Sequence, residues 1–177
     1  MNRLYRRLRV ALARRDRDAL ASVVRNHPDA HDGCDRRESP VEMIATAGPD
    51  LLEAAFAAGL SPDAGHKETQ QTFLQHAAAD GDAAVVALCI KYGADLDRRN
   101  TSGEKALAYA CEWWHLRIVE LLVEAGVDVN AIEHNPEHDI RNAALDCCAK
   151  HPEIAEYLRT VGAKGIADID SEAARVR

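Results

Sequence analysis

The feature that most constrains the fold of this chain is a sequence unit that recurs every 33 residues. Val10, Met43, His76 and Tyr109 stand at equivalent places in four copies of the unit. The clearest copy is TSGEKALAYACEWWHLRIVELLVEAGVDVNA, residues 101–131. A period of this length is typical of repeat architectures, in which each unit is one supersecondary motif that buries its apolar face only by stacking on its neighbours.

Each unit contains two short stretches with the periodicity of a helix. In the clearest copy, Leu107, Ala110 and Cys111 lie three and four residues apart, as on one face of a first helix. The second stretch repeats apolar residues in the same way, at Ile118, Val119, Leu121 and Leu122. Gly126 follows where the end of a helix favours positive φ. Because two such short helices cannot bury these faces alone, we expect neighbouring units to stack.

The other copies keep this order of residues. The five copies are Leu8–Val24, Ser39–Gly59, Thr72–Asp95, Lys105–Asp128 and a degenerate Ala144–Lys164. The period, together with the start Thr72-Phe73-Leu74-Gln75-His76-Ala77-Ala78, resembles the ankyrin repeat, whose pattern begins T-P-L-H-x-A. The resemblance covers roughly residues 3 to 167. It implies that each unit is a β-turn followed by two antiparallel helices.

We therefore expect one domain over residues 1–167, an all-α ankyrin-type solenoid whose helix pairs are joined by β-turn or hairpin loops. The predicted repeats are 3–34, 35–66, 67–100, 101–133 and 134–167. A short charged tail, residues 168–177, is expected to fray beyond the last helix.

Two departures from the pattern bear on local geometry. Trp114 occupies the place between the helices where other copies have glycine, as at Gly48 and Gly81. A tryptophan tolerates positive φ poorly, so the sequence leaves the conformation of this turn open. The fifth copy has a long polar lead-in, Ile132–Asn142, and a shortened first helix. Such extra length serves contact with a partner or is a tolerated surface insertion.

Charge is divided unevenly along the chain. Residues 1–37 carry ten Arg and five Asp, a net charge of +5, and the remainder carries 12 basic and 24 acidic residues, a net charge of −12, which sums to −7. Phosphate contacts need a continuous basic track, so this distribution argues against nucleic acid as the main partner. The acidic body favours a protein partner with a basic surface, with charge attraction mainly speeding the encounter.

The first fifteen residues contain six Arg and no acid, a composition that also begins transit peptides and membrane-surface helices. Since Leu8 and Val10 already lie in the register of the repeat, we interpret this segment as an N-terminal capping repeat. No apolar run of about 18 residues is present, so neither a transmembrane helix nor membrane binding is expected. No secretory signal is expected either, and we predict a cytoplasmic protein.

The chain has five cysteines, an odd number without regular spacing, which indicates reduced thiols. Cys89, Cys111 and Cys148 stand at packed helix positions and are expected to act as small hydrophobes.

Two pairs of residues have the spacing of metal ligands. His31 and Cys34 are separated by two residues, but no second pair accompanies them. His134 and His138 are four residues apart, but Pro136 interrupts the helix that would place both on one face. We therefore expect polar loops at both places, and neither a metal nor a cofactor.

No motif predicts catalysis. Cys147 and Cys148, with His151 nearby, lack a third group that would orient a base, and no recognisable local signature surrounds them. His76 lies in a mostly apolar ladder and is expected to be partly buried between repeats. The chain is therefore not expected to be an enzyme.

In ankyrin-like proteins the turn tips and the exposed ends of the first helices form a concave binding face, which is an implication of the resemblance. Carried over by position, the candidate partner-binding residues are Lys67, Glu68, Gln70, Asp80, Thr101, Ser102, Glu104, Glu112 and Trp113. The register equivalents of Trp113 are Arg14, Ala47 and Asp80, so no core position awaits its indole. Two interpretations are compatible with this: Trp113 is a binding hot spot ringed by acids, or one of Trp113 and Trp114 covers apolar surface of a neighbouring repeat.

The sequence thus predicts a monomeric, non-enzymatic protein that binds another protein on its concave face. Two uses differ enough to test. In one, the protein is a stoichiometric inhibitor, for instance an immunity factor that masks a basic protein. In the other it is an adaptor that joins one partner at the acidic body to a second partner at the Arg-rich N-terminal cap.

Overall fold

The computed structural model describes residues 3–27, 40–135, 140–148 and 150–175 of the 177-residue chain. In chain order the elements are α1 (Arg3–Ala13), α2 (Arg17–Asn26), α3 (Pro40–Ala45), α4 (Pro49–Ala57), α5 (Phe73–Asp80), α6 (Ala83–Lys91), α7 (Ala106–Glu112), α8 (Leu116–Glu124), β1 (Glu133–Asn135), β2 (Ile140–Asn142), α9 (Ala144–Cys147), α10 (Pro152–Thr160) and α11 (Ile166–Arg175). Three first helices begin 33 residues apart, at Pro40, Phe73 and Ala106. The prediction of an all-α repeat fold is confirmed, with one two-stranded antiparallel sheet among the described residues.

The helices stack in two parallel rows. First helices pack on first helices, in the order α1, α3, α5, α7 and α9, and second helices pack on second helices, in the order α2, α4, α6, α8 and α10. Their facing sides are apolar and form one continuous core along the stack. At the boundary of the second and third pairs, the rings of Phe56 and Phe73 meet edge to face at 5.5 Å. Cys89, Cys111 and Cys148 are fully buried in this core, as expected of small hydrophobes.

The turn between the two helices of a pair shares one backbone feature in the first four pairs. A residue with positive φ recurs at a spacing of 33, at Arg15 (φ 51°), Gly48 (105°), Gly81 (81°) and Trp114 (66°). Trp114 therefore keeps the left-handed turn that its side chain disfavours, at a cost of about 1 kcal/mol relative to glycine.

The N-terminus of α5 has a complete capping box. The Thr72 hydroxyl accepts from the Gln75 backbone N–H, and the Gln75 side chain accepts from the Thr72 backbone N–H at 2.9 Å. The amide of Gln75 also donates to the carbonyls of Arg98 and Glu104. One neutral, buried side chain thus satisfies a helix end and two loop carbonyls, which explains why a polar residue is tolerated there.

Hydrogen bonds also tie each repeat to the next along the loops. Thr101 donates both its N–H and its hydroxyl to the Thr69 carbonyl, at 2.9 and 3.1 Å. Equivalent ties over 32 residues join the Asp95 N–H to the Asp63 carboxylate and the Asn130 amide to the Gly162 carbonyl. These inter-repeat ties align the tips of the turns in one row.

The lead-in to the fifth pair forms a hairpin. Strand β1 pairs antiparallel with β2, with Glu133 opposite Asn142 and His134 opposite Arg141. The first helix that follows, α9, spans only 4 residues, so the prediction of a shortened helix is confirmed. Residues 136–139, which include Pro136 and His138, lie outside the described residues, as do His31 and Cys34.

The expectation of a tail that frays from residue 168 is wrong for residues up to 175, because they belong to α11. This helix has no buried residue. Its contacts are ionic: Arg141 of β2 pairs with Asp170 at 3.1 Å, and the Lys164 ammonium donates to Glu172 at 2.7 Å. The segment escaped prediction because it lies beyond the last repeat and turns no apolar face to the core.

Candidate functional site

A cavity of about 340 Å³, here called the acidic cavity, lies beside α7 on the side of the stack that carries the tips and the first helices. It is lined by Ser102, Glu104, Ala108, Tyr109, Glu112, Glu133, Asn142 and Cys147. Three of these residues are glutamates and none is a lysine or an arginine. The lining of the cavity therefore combines three carboxyl groups with apolar side chains and contains no basic side chain.

The carboxylate of Glu104 is held in place by a small hydrogen-bond network. The Tyr109 hydroxyl donates to Glu104 Oε2 at 2.7 Å, and the Asn100 amide donates to the same oxygen at 2.9 Å. The Asn100 amide also lies 3.0 Å from the Tyr109 hydroxyl. Burial and the neighbouring Glu104 carboxylate raise the pKa of Tyr109, so the phenol stays a neutral donor. The Glu104 carboxylate is thus oriented before any partner arrives.

Glu133 reaches into the cavity from β1 and completes the N-terminus of α7. Its Oε1 accepts from the Lys105 backbone N–H at 2.9 Å. At the start of α5 the equivalent hydrogen bond comes from within the helix, where the Gln75 side chain accepts from the Thr72 backbone N–H. Burial raises the pKa of Glu133 to about 7, and the nearby Glu104 charge also raises it. Near neutral pH this carboxyl is therefore only partly ionised, and a cation placed in the cavity would favour its charged form.

The lysine closest to this site is already engaged. Lys105 is 6% exposed, and its ammonium lies 3.0 Å from Asp97 Oδ1. Cys147 also lines the cavity, and burial followed by the Glu133 charge raises the pKa of its thiol to about 12. The thiol is therefore protonated at neutral pH, which does not suit a nucleophile.

Two tryptophans stand beside the cavity at the end of α7. Trp113 directly follows Glu112 and is 56% exposed, and Trp114 is 65% exposed. The ring of Trp114 lies 4.5 Å from the ring of His151, the residue that precedes α10. Tryptophan is enriched among the residues that contribute most to binding at protein interfaces.

The structure brings together some of the residues that the sequence singled out. Ser102, Glu104 and Glu112 line the acidic cavity, and Trp113 adjoins it in the chain. Thr101 lies on the tip above and is tied to the preceding tip, whose exposed residues include Lys67, Glu68 and Gln70. Asp80 lies apart, in a separate cavity of about 290 Å³ that it shares with His76. The His76 Nε2 is 3.6 Å from the Asp80 carboxylate, and the His76 side chain is partly buried, as expected.

Five lining residues were not among the candidates from the sequence: Ala108, Tyr109, Glu133, Asn142 and Cys147. Glu133 had one usable signal, since Ala108 stands where Gln75 accepts from the Thr72 N–H at the preceding helix start, and an alanine side chain cannot accept a hydrogen bond. An acceptor from another part of the chain was therefore needed. Nothing in the spacing identified which residue would supply it.

The described residues show neither a metal site, nor a membrane span, nor a Cys/His pair. No group of three or more His, Cys, Asp or Glu side chains in these parts of the chain could hold a metal ion. None of the described helices is long and apolar enough to cross a membrane. Cys148 is buried and directs its thiol to the Ala144 carbonyl at 3.3 Å, while His151 stacks on Trp114, so these two residues do not form a Cys/His pair.

A stack of helix pairs with a row of tips and an acidic cavity beside exposed indoles defines a repeat scaffold that binds through its surface. A family model described as ankyrin repeats (3 copies) matches residues 42–133, which is just over half of the chain. The chain belongs to the ankyrin repeat family, and its repeats form a protein–protein interaction module.

Curated relatives include two kinds of protein. The chain is 33% identical over 112 residues to the NF-kappa-B inhibitor cactus of Drosophila yakuba, an alignment that covers 55% of this chain and 23% of the relative. It is 30% identical over 132 residues to the probable E3 ubiquitin-protein ligase XBOS32 of Oryza sativa subsp. japonica, covering 73% of this chain and 25% of the relative. The chain thus spans about a quarter of the length of these relatives.

Proposed function

We propose that this protein binds a partner with a basic surface at the acidic cavity and the adjoining tips, without catalysis, and so acts as a stoichiometric inhibitor of that partner. The observation that carries the proposal is the cavity itself, in which Glu104, Glu112 and Glu133 meet with no lysine or arginine among the lining residues. A lysine or arginine side chain of a partner would supply the missing charge through charge-assisted hydrogen bonds.

The surroundings of the cavity support the same partner chemistry. An exposed Trp113 beside Glu112 offers a flat apolar face on which a guanidinium group can stack. Anchors of this kind, surrounded by polar residues, account for most of the affinity in many interfaces. The further contact residues proposed are those of the two tips, Lys67, Glu68, Gln70, Thr101 and Ser102, together with Asp80 at the end of the neighbouring first helix.

Two arguments support an inhibitory role: the names of two relatives, and the fact that inhibition can require no activity beyond binding. Two of the relatives bear the name NF-kappa-B inhibitor cactus. Binding alone is sufficient for inhibition when it covers the surface of the partner, as in an immunity factor. We propose that the protein works as a monomer in the cytoplasm, and the four described cysteines, all free thiols, are compatible with a reducing compartment.

The proposal is tested by affinity capture from a lysate of the cells that make the protein. Wild type is compared with Trp113→Ala and with the pair Glu104→Gln and Glu112→Gln, and captured proteins are identified by mass spectrometry. We expect one basic protein in equimolar amount with wild type. Its affinity for Trp113→Ala, measured by calorimetry on the purified pair, falls about 30-fold or more, which corresponds to about 2 kcal/mol.

The matched control is Glu124→Gln with Glu156→Gln, which removes the same charge from exposed positions on α8 and α10. Equal loss of the partner in this control, or undiminished capture by both cavity variants, would count against the acidic cavity. Capture of two proteins that bind at the same time would favour an adaptor, for which the Arg-lined cleft between α1 and α2 is the specific observation.

The pH dependence of binding gives a second test. A cationic partner side chain binds the ionised form of Glu133, so binding releases a proton and the affinity rises as the pH rises through about 7. In Glu133→Gln this dependence between pH 6 and 8 is expected to flatten. A pH profile that is the same in both proteins would show that no cation approaches Glu133.

A further inference from the structure

A second cleft, here called the first-repeat cleft, runs along the seam between α1 and α2 and has a volume of about 310 Å³. It is lined by Arg6, Arg7, Val10, Ala11, Arg14, Asp16, Ala19, Ser22 and Val23. All of these residues belong to α1, α2 or the turn between them, so no other described element covers the cleft. Later first helices such as α5 are packed on both sides, by α3 and α7, whereas α1 packs on α2 and α3.

The three arginines of the cleft are unused within the structure. The guanidinium groups of Arg6, Arg7 and Arg14 make no ion pair or hydrogen bond with any residue that the structure describes. Some arginines elsewhere are engaged, such as Arg15 with Asp50 at 2.9 Å and Arg117 with Glu120 at 2.9 Å. The one acid of the cleft, Asp16, uses its carboxylate to cap α2 through the Ala19 N–H.

The floor of the cleft is apolar. Val10 is 45% exposed, although its register equivalents Met43 and Tyr109 are only partly exposed between neighbouring repeats. Ala11 and Val23 are buried beneath it, and Ala19 is partly exposed. A ligand that fits must therefore combine a small apolar side chain, for the floor, with several anionic groups, for the rim.

We propose that the first-repeat cleft is a docking site for an acidic amphipathic peptide segment of a partner protein, distinct from the basic partner of the acidic cavity. Carboxylates of the segment pair with Arg6, Arg7 and Arg14, and an apolar side chain lies on Val10 and Ala19. Arginine suits this role because its planar fork binds carboxylates in a bidentate manner. The two surfaces have opposite charge, so the same peptide cannot bind both.

The cleft favours a peptide over the other common anionic partners. It is a concave seam between two helices, whereas a membrane surface requires a broad basic face with exposed apolar residues that insert between lipids. None of the residues that line it is aromatic, so bases of a single-stranded nucleic acid would find no ring on which to stack. The Asp16 carboxylate on the rim also opposes a continuous run of phosphates.

The test is a selection of random short peptides, displayed on phage, against the intact protein. We expect enriched peptides to place Asp or Glu on either side of an apolar residue. The best of these is synthesised with a fluorescent label, and its affinity is measured by fluorescence polarisation. The triple variant Arg6→Gln, Arg7→Gln, Arg14→Gln is expected to bind about tenfold or more weakly, and added salt to weaken wild-type binding.

The matched control replaces three exposed arginines outside the cleft, Arg25→Gln, Arg159→Gln and Arg175→Gln, and is expected to keep wild-type affinity. A second cleft variant, Val10→Gln, tests the apolar floor without a change of charge and is expected to weaken the peptide severalfold. Thermal unfolding checks that every variant is folded.

Several outcomes would overturn the proposal. The first is that no acidic peptide is enriched, and the second is that the control triple variant loses as much affinity as the cleft variant. The third is that no peptide binds, whereas phosphatidylserine vesicles or a single-stranded oligonucleotide bind to wild type and not to the cleft variant. Concentration-dependent self-association that the cleft variant abolishes would instead assign the cleft to a second copy of this chain. Capture of the basic partner is measured in parallel, and because it depends on the acidic cavity, failure of one proposal leaves the other standing.

Discussion

The third and fourth helix pairs have the same architecture but obtain it by different means. In the third pair, α5 caps itself through Thr72 and Gln75, and Gly81 forms the left-handed turn. In the fourth, the start of α7 is completed by Glu133 from the following hairpin, and Trp114 occupies the turn. The start of α5 is therefore capped from within its own helix, whereas the start of α7 depends on the repeat that follows it.

The same contrast appears where the next repeat covers each turn. His115, which precedes α8, lies over Gly81 so closely that a Cβ built on the glycine would be 2.6 Å from its ring. His151, which precedes α10, lies over Trp114 and stacks on its indole instead. In the fourth pair, the departure at the start of α7 brings Glu133 into the acidic cavity. A position that gives up local stability in this way is a marker of function.

The largest expected effect is at Gly81. Gly81→Ala adds strain at positive φ and drives a methyl group into His115, so we expect the free energy of unfolding to fall by about 2 to 3 kcal/mol. Urea unfolding measures it. Gly93→Ala is the control, because Gly93 also has positive φ (78°) but nothing lies within 4 Å of its Cβ position, and it should lose about 1 kcal/mol. Equal losses in the two variants would mean that His115 does not press on the turn.

The next effect distinguishes the two helix starts by pH. The folded pKa of Glu133 is about 7, above its ordinary 4.5, so between these values the folded state holds a proton that the unfolded chain has lost. Stability therefore falls as the pH rises from about 4.5 to 7, by about 2 to 3 kcal/mol from this group. Urea unfolding of wild type and Glu133→Gln at pH 5 and 8 should reveal this difference. Parallel pH profiles would refute it.

A smaller effect is expected from the self-sufficient cap. Thr72→Ala removes the acceptor for the Gln75 N–H and should lower the free energy of unfolding by about 1 kcal/mol, at every pH from 5 to 8. Thr160→Ala is the control, since that exposed hydroxyl donates only to the Tyr157 carbonyl and caps no helix start. A pH-dependent loss in Thr72→Ala would erase the contrast with Glu133.

The smallest effect has the opposite sign. Trp114→Gly relieves the strain of positive φ and gives up the contact with His151, for a net gain of about 0.5 kcal/mol. Thermal unfolding measures the change, with Trp113→Ala, at an ordinary φ of −96°, as the comparison. A loss of more than about 1 kcal/mol in Trp114→Gly would show that the indole is structural.

Periodicity was sufficient to predict much of the fold. The 33-residue spacing predicted helix pairs whose starts recur at Pro40, Phe73 and Ala106, because the repeat must place equivalent residues at equivalent points of the stack. It also identified the place of the left-handed turn, although the structure was needed to establish that Trp114 adopts it.

The candidate site was predictable only in part. Ser102, Glu104 and Glu112 could be placed by position within the unit. The position of Glu133 could not be predicted, because this residue reaches α7 from a hairpin of irregular length. A contact between repeats leaves no periodic signal in the sequence when only one copy makes it. The acidic cavity depends on that single irregular contact.

The inter-repeat ties have a mechanical consequence. The bonds from Asp63 to Asp95, from Thr69 to Thr101 and from Asn130 to Gly162 follow one another along the chain, and each crosses one boundary. A pull on the two ends would load these boundaries in series, so they would yield one after another, and the chain would extend as a short elastic element with stepwise release. A partner that spans several tips would hold those boundaries closed and raise the force needed to extend the stack of repeats.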